Sequence, residues 1–179
     1  MDHQDFWQGK YPESIARTID TNIYPTILDL FKEACRKYAN KPAFSNMGRT
    51  LTFAEVDKYS ATFAAWIQQN TDLQVGDRIA VQMPNLLQYP IVVFGAMRAG
   101  LVIVNTNPLY TAREMEHQFK DAGCKALVTL ANFGQLVQEV LPKTGIRYVI
   151  ISELADMLPF PKRVVVNNIV KYVKKLVPA

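Results

Sequence analysis

The residues of this chain that are equipped for chemistry are few and scattered. His117 lies beside Glu116 and near Asp121, and a histidine with acidic neighbours is the pattern of a general base. No serine or cysteine is spaced to pair with its imidazole, so the pattern favours a solvated residue on a charged helix face. His3, the other histidine, stands in the polar start of the chain. Glu114, Glu116 and Asp121 sit at i, i+2 and i+5, which scatters them around a helix, and no metal site is expected from them. Lys143-Thr144-Gly145 is the nearest approach to a phosphate-binding loop, yet neither G-x-G-x-x-G nor G-x-x-x-x-G-K-[ST] occurs. The tripeptide falls at a helix end, where the dipole opposes an anion.

One loop has the right placement for a ligand. Asn105-Thr106-Asn107-Pro108-Leu109-Tyr110 follows an apolar run and precedes a capped helix. It therefore belongs at the carboxyl end of a strand, where open α/β sheets bind ligands. Asn107, Pro108 and Tyr110 are the candidate residues of a substrate cleft. Turn formation by Asn and Pro and packing by Leu109 and Tyr110 account for the same letters, and both readings stand.

The elements that must position this loop follow from periodicity. Thr26 with Asp29 opens a helix with an apolar stripe of Ile27, Leu30, Phe31, Ala34, Cys35 and Tyr38. An extended pair, PAFSNM and RTLTF, is joined around Gly48, and Thr52 with Glu55 opens a second helix. After Gly76-Asp77 the chain alternates: strand 78–83, helix 86–98, strand 101–104, helix 112–122, strand 126–130, helix 133–141, strand 147–151. The strands are continuous short apolar runs, as expected of a parallel sheet covered on both faces by βαβ crossovers. The fold class is α/β. Gly100, Gly123 and Gly145 fall just past helices, where left-handed C-caps are wanted. Thr111 with Glu114, and Asn132, are the expected N-caps of the second and third crossover helices. The resulting division is a lead-in over 1–75, a sheet core over 76–153, and a linker with a terminal helix over 154–179.

With 179 residues, 49% hydrophobic, 8 Gly and 10 Pro, the chain suits one folded domain rather than a disordered or collagen-like segment. Cys35 and Cys124 fit neither a metal knuckle nor a disulfide framework, and MDHQDFWQGK has no apolar core for secretion. A cytoplasmic location is expected. The longest apolar stretch, Ile91 to Val104, is broken by Arg98 and falls short of the roughly 18 to 20 residues that span a bilayer. The net charge of +4 resides in the tail, where Lys162, Arg163, Lys171, Lys174 and Lys175 follow Met157 without an acid. No nucleic-acid partner is expected. As a helix, the tail sets Val166, Ile169, Val170, Val173, Leu176 and Val177 on one side and Asn167, Asn168, Lys171, Lys174 and Lys175 on the other. Such a helix packs on its own protein, or lies on a membrane surface with Val166, Ile169, Val170, Val173, Lys171, Lys174 and Lys175 in contact.

The stretch VGDRIAVQMPNLLQYPIVVFGAMRAGLVIVNTNPLYTAREMEHQFKDAG, residues 75–123, closely resembles the N-terminal region of bacterial long-chain fatty acid-CoA ligases. Upstream, PAFSNMG and LTFAEVDKYSATFAAWIQ look like the strand pair and helix that precede the first sheet of acyl-adenylate-forming enzymes. Downstream, VVVNNIVKYVKKLVP resembles a segment peculiar to the long-chain subgroup, so the likeness runs from about Ile27 onward. The resemblance implies an N-terminal subdomain of a longer enzyme. That enzyme would join a long-chain fatty acid to CoA through an acyl-adenylate, using ATP and Mg. The family's Ser/Thr/Gly-rich phosphate loop, its later magnesium-holding Glu and its C-terminal catalytic lysine have no counterpart here. No catalytic, cofactor-binding or metal residue is therefore carried over, and the chain by itself is expected to be inactive and to bind no cofactor. Apolar surface bared by the absence of neighbouring subdomains is expected to favour a homo-oligomer. The alternative is a stand-alone α/β binding module that docks on a membrane or partner through its C-terminal helix.

Overall fold

The computed structural model describes residues 9–16 and 18–177; His3 and Ala179 lie outside them. Helix α1 (Ile27–Lys37) starts where Thr26 Oγ accepts the Asp29 N–H at 3.1 Å. Only part of its apolar stripe is covered: Phe31 and Cys35 are buried, whereas Ile27, Leu30 and Tyr38 remain exposed. Strands β1 (Pro42–Asn46) and β2 (Arg49–Thr52) form an antiparallel hairpin. Its two linking residues, Met47 and Gly48, both have positive φ, 50° and 79°, the geometry whose twist matches that of paired strands. Thr52 and Glu55 then close a full capping box on α2 (Phe53–Asn70), burying Val56, Ser60, Ala64 and Ile67.

Four parallel strands follow, β3 (Arg78–Gln82), β4 (Val102–Asn105), β5 (Cys124–Leu130) and β6 (Tyr148–Ser152), in the spatial order β4-β3-β5-β6. The crossover helices are α3 (Gln88–Arg98), α4 (Ala112–Asp121) and α5 (Gly134–Val140). Side-chain alternation splits the core between the faces. Ile79 and Val81 of β3 and Ala126, Val128 and Leu130 of β5 pack against α2 and α3 through Ala64, Ile67, Val92 and Ala96. On the other face, Ala80 and Leu127 meet Met115 and Phe119 of α4 and Val137 and Val140 of α5. Helices α2 and α3 approach so closely that a Cβ on Gly95 would stand 2.9 Å from the Ser60 carbonyl oxygen. Arg98, largely covered, donates to Ser60 Oγ at 3.1 Å, pairs with Asp57, and lies 5.6 Å above the Phe31 ring.

Several local expectations are corrected. Gly100 and Gly123 take left-handed φ of 77° and 61°, but Gly145 does not. Helix α5 runs into a 3₁₀ turn, Leu141–Lys143, which contains Pro142 and ends on extended Thr144 donating to the Leu141 carbonyl at 3.1 Å. No left-handed residue is needed after that ending. Asn132 is not an N-cap. It lies inside a 3₁₀ turn, Ala131–Phe133, that leads from β5 directly into α5, and its amide donates to the Leu176 carbonyl at 3.1 Å.

The tail departs furthest from expectation. It is a short helix α6 (Lys162–Asn168) followed by a π turn, Ile169–Val173, instead of one amphipathic helix over 164–177. The Lys174 N–H reaches the Ile169 carbonyl at 2.8 Å, and Lys175 takes φ 51° while the Leu176 N–H donates to the Val170 carbonyl at 3.1 Å. The wider turn rotates later residues off the 3.6-residue stripe. Val170 is buried and Val166 half-buried, but Ile169, Val173 and Leu176 face solvent. Asn167, expected on the polar face, turns inward. Its Oδ1 accepts the Ala155 N–H at 2.9 Å, and its Nδ2 donates to Glu153 Oε2 at 2.7 Å and Asp156 Oδ1 at 3.3 Å.

Candidate functional site at the carboxyl rim of the sheet

From β3 the chain crosses to β4 on one side, then to β5 and β6 on the other. The strand order therefore reverses beside β3, and a crevice at the carboxyl ends there is the expected ligand position. Its floor is polar but uncharged. Gln82 and Thr129 are paired in the β3–β5 register, both fully buried, with Thr129 Oγ1 donating to Gln82 Oε1 at 2.9 Å. Gln82 Nε2 reaches Met115 Sδ at 3.4 Å. On one flank Tyr89 donates its hydroxyl to Asn105 Oδ1 at 2.9 Å, and Gln118 Nε2 donates to the Asn105 carbonyl at 3.0 Å. On the other flank Gln88, from the first turn of α3, donates to the Glu153 carbonyl at 2.9 Å.

The expected loop residues do lie at this rim. Asn107 is exposed, and its Oδ1 accepts the Leu109 N–H at 3.0 Å while its carbonyl accepts the Tyr110 N–H at 3.1 Å. Pro108 is half-buried and Leu109 is 88% exposed at the tip. Tyr110 is half-buried and packs with Val104 and Ala112 on the Met115 and Leu127 cluster, so its ring has a packing role whatever else it does. Sequence reasoning passed over Gln82, Gln88, Tyr89, Gln118 and Thr129. The one visible signal was a glutamine inside the apolar run RIAVQM, since a buried polar group has to find a partner.

The opposite, amino-terminal end of the sheet carries fixed charge pairs. Lys125 meets Asp77 at 2.6 Å and Arg147 meets Asp72 at 2.5 Å. The Asp77 carboxyl is held below its ordinary value by the Gln74 N–H first and by Lys125 next. Asp72 is lowered chiefly by its hydrogen bond from Arg147. In the crevice beside β3, by contrast, the side chains are amides and hydroxyls, suited to orienting a ligand and not to moving a proton.

Neither thiol offers a nucleophile. Burial pushes Cys35 and Cys124 up to about 11. His117 is exposed, and among the described residues no three His, Cys, Asp or Glu side chains cluster as a metal site. Residues Lys143 to Gly145 do not fit a nucleotide phosphate. The Lys143 ammonium stands 3.7 Å from Glu139 and 3.8 Å from Glu116, and Thr144 Oγ1 donates to the Leu141 carbonyl at 3.2 Å.

The strand order and the helices packed on both faces define an open α/β unit of the doubly wound type. The profile of the AMP-binding enzyme family matches residues 31–175, and the chain belongs to that family. It is 46% identical over 172 residues to a long-chain-fatty-acid-CoA ligase of Yersinia pestis, covering 96% of this chain and 31% of that protein. It is 47% identical over 175 residues to the ligase of that name from Haemophilus influenzae, covering 98% of this chain and 31% of that one. The chain thus spans about 31% of the length of these curated relatives. Among solved structures, a long-chain-fatty-acid-CoA ligase from Archaeoglobus fulgidus superposes with a TM-score of 0.64 at 24% identity, over 70% of this chain and 27% of that one. An anthranilate CoA ligase in complex with anthranoyl-AMP gives 0.69 at 17% identity, over 74% and 26%. These two show the fold. The alternative of a stand-alone binding module gains no support from these relatives.

Proposed function

We propose that this chain forms the N-terminal part of a long-chain fatty acid-CoA ligase. The observation that carries this reading is identity of 46–47% spread over 96–98% of the chain with ligases of that name. The reaction would convert a fatty acid and MgATP to an acyl-adenylate and diphosphate, and the CoA thiol would then displace AMP to give the thioester. This chain's share is architectural: β3 and β5 with their Gln82–Thr129 pair hold one wall of the substrate cleft, and Asn107, Pro108 and Tyr110 border it. Alone, the chain is inactive and binds no ATP, Mg or CoA. The test is a chimera in which this chain replaces the corresponding residues of the Haemophilus influenzae ligase. Acyl-CoA formation by the chimera supports the reading, and a folded chimera that forms no acyl-adenylate overturns it. In that chimera Tyr110→Ala should lower activity more than stability; equal losses would return Tyr110 to a packing role alone.

A second reading concerns location, at the inner face of a membrane with the rest of the enzyme cytoplasmic. Among the described residues no helix is long and apolar enough to cross a bilayer. The tail nonetheless exposes Ile169, Tyr172, Val173 and Leu176 beside Lys171, Lys174 and Lys175, a combination that suits anionic headgroups over acyl chains. Buried Val170 and half-buried Val166 leave the contact set expected from periodicity. Sedimentation with anionic vesicles that falls with salt supports this contact, and indifference to such vesicles at low salt removes it. Self-association belongs to the same proposal, through exposed Ile27 and Leu30, and sizing chromatography reads it directly.

A further inference from the structure

Past the carboxyl end of β6, and lined by none of the crevice residues beside β3, a groove of about 520 Å³ runs between α2 and the segment that follows that strand. Phe63 and Trp66 are three residues apart on α2 and share a helix face. With Ile91 of α3 and Leu158 they make the apolar wall. Ile91 and Leu158 are buried and Phe63 half-buried, while Trp66 stays 44% exposed at the edge. The feature is a concavity with a packed floor, of the size that takes an organic ligand.

The charges around it are unequally satisfied. Arg49 borders the groove but donates to the Met157 carbonyl and lies 3.8 Å from Glu55. Asp156 also borders it, and its carboxylate already accepts from Ser152 Oγ at 2.9 Å, the Glu153 N–H at 2.7 Å and Asn167 Nδ2 at 3.3 Å. The Arg163 guanidinium, exposed and also part of the lining, makes no hydrogen bond or ion pair with the described residues. An open groove with an apolar wall and one unpaired guanidinium in its lining complements an amphiphile with a long hydrocarbon chain and a planar anionic head, and guanidinium matches carboxylate in a two-point bond. Arg163 and Asp156 also line a neighbouring, more polar groove with Glu153, Asn168 and Lys171, whose apolar lining is confined to Val164 and Tyr172.

We propose that this groove is an accessory site for a free long-chain fatty acid, with the alkyl chain along Phe63 and Trp66 and the carboxylate on Arg163. The substrate class rests on the ligase reading; the site does not coincide with the cleft at the carboxyl rim. The chain contains two tryptophans, so Trp7→Phe leaves Trp66 as the single emitter. Titrating that variant with palmitate below its micelle concentration should change Trp66 emission saturably, and a brominated fatty acid should quench it. Arg163→Gln should weaken the response by roughly tenfold, the scale of one charge-assisted pair, and Arg163→Lys should retain part of it. Palmitate methyl ester should bind the unaltered groove about as weakly as palmitate binds Arg163→Gln. No saturable response, or equal affinity for acid and ester, overturns the proposal. An active chimera combined with a silent Trp66 discards the groove alone. A responsive Trp66 in a folded but inactive chimera discards the ligase reading alone.

Discussion

The parallel sheet and the terminal segment after Pro161 are both rich in valine and isoleucine, yet they are held by different forces. In the sheet, both faces of β3 and β5 are covered and Ile79, Val81, Leu127 and Val128 are all but inaccessible. In the terminal segment only Val170 is buried, while Val165, Ile169 and Val173 face solvent. What fastens the segment is polar: the Asn167 amide bridges Ala155, Glu153 and Asp156, and the Asn132 amide holds the Leu176 carbonyl. Apolar composition gives a core only where a second layer exists to receive it. Without one, a few well-aimed hydrogen bonds set the position of the chain.

The contrast can be broken by deleting one anchor from each region. Phe119→Ala should cost about 3–5 kcal/mol of global stability, read by urea unfolding, because a fully buried ring leaves a cavity between α4 and the sheet. A loss below ~1 kcal/mol would mean that the face is not close-packed. Asn167→Ala should cost about 1–3 kcal/mol, since the Ala155 N–H loses its acceptor and two carboxylates lose a donor. Hydrogen exchange should place that loss in residues 153–177 and leave β3 and β5 protected; uniform deprotection would make the segment part of the core after all. Lys175→Gly should leave the segment equally or slightly more stable, by no more than ~1 kcal/mol, because Lys175 holds a left-handed φ of 51° that glycine adopts freely.

The smallest effect is expected at the amino-terminal end of the sheet. Asp77 is held below its ordinary value of 3.8 by the Gln74 N–H and Lys125. A depressed folded value stabilises fully above that ordinary value, and the stabilisation is lost as pH falls through the lower folded one. Asp77→Asn should therefore lower the plateau of a stability-against-pH curve slightly and flatten its acid limb by the same amount, leaving stability at the acid end unchanged. An unchanged acid limb would show that the ionised Asp77 carboxylate, with its bonds to the Gln74 N–H and Lys125, adds nothing to folding.

The sequence by itself determined the order of elements, the parallel class of the sheet, the capping boxes at Thr52 and Thr111 and the left-handed Gly100 and Gly123. Each of these depends on neighbours within a turn or on an unbroken apolar run, so local physics suffices. It also placed Asn107 to Tyr110 at the carboxyl rim, because a loop that leaves a parallel strand has no other end to occupy. Only the tertiary structure decided that β5 lies beside β3, which brings Gln82 and Thr129 together from distant positions. It also decided that Leu130 leads straight into a 3₁₀ turn, displacing Asn132 from its cap. The tail shows the reason most plainly. Periodicity assumes a constant 3.6 residues per turn, but Ala155, Glu153 and Asp156 draw Asn167 inward and a π turn follows, so the apolar letters of one predicted stripe end on two different sides.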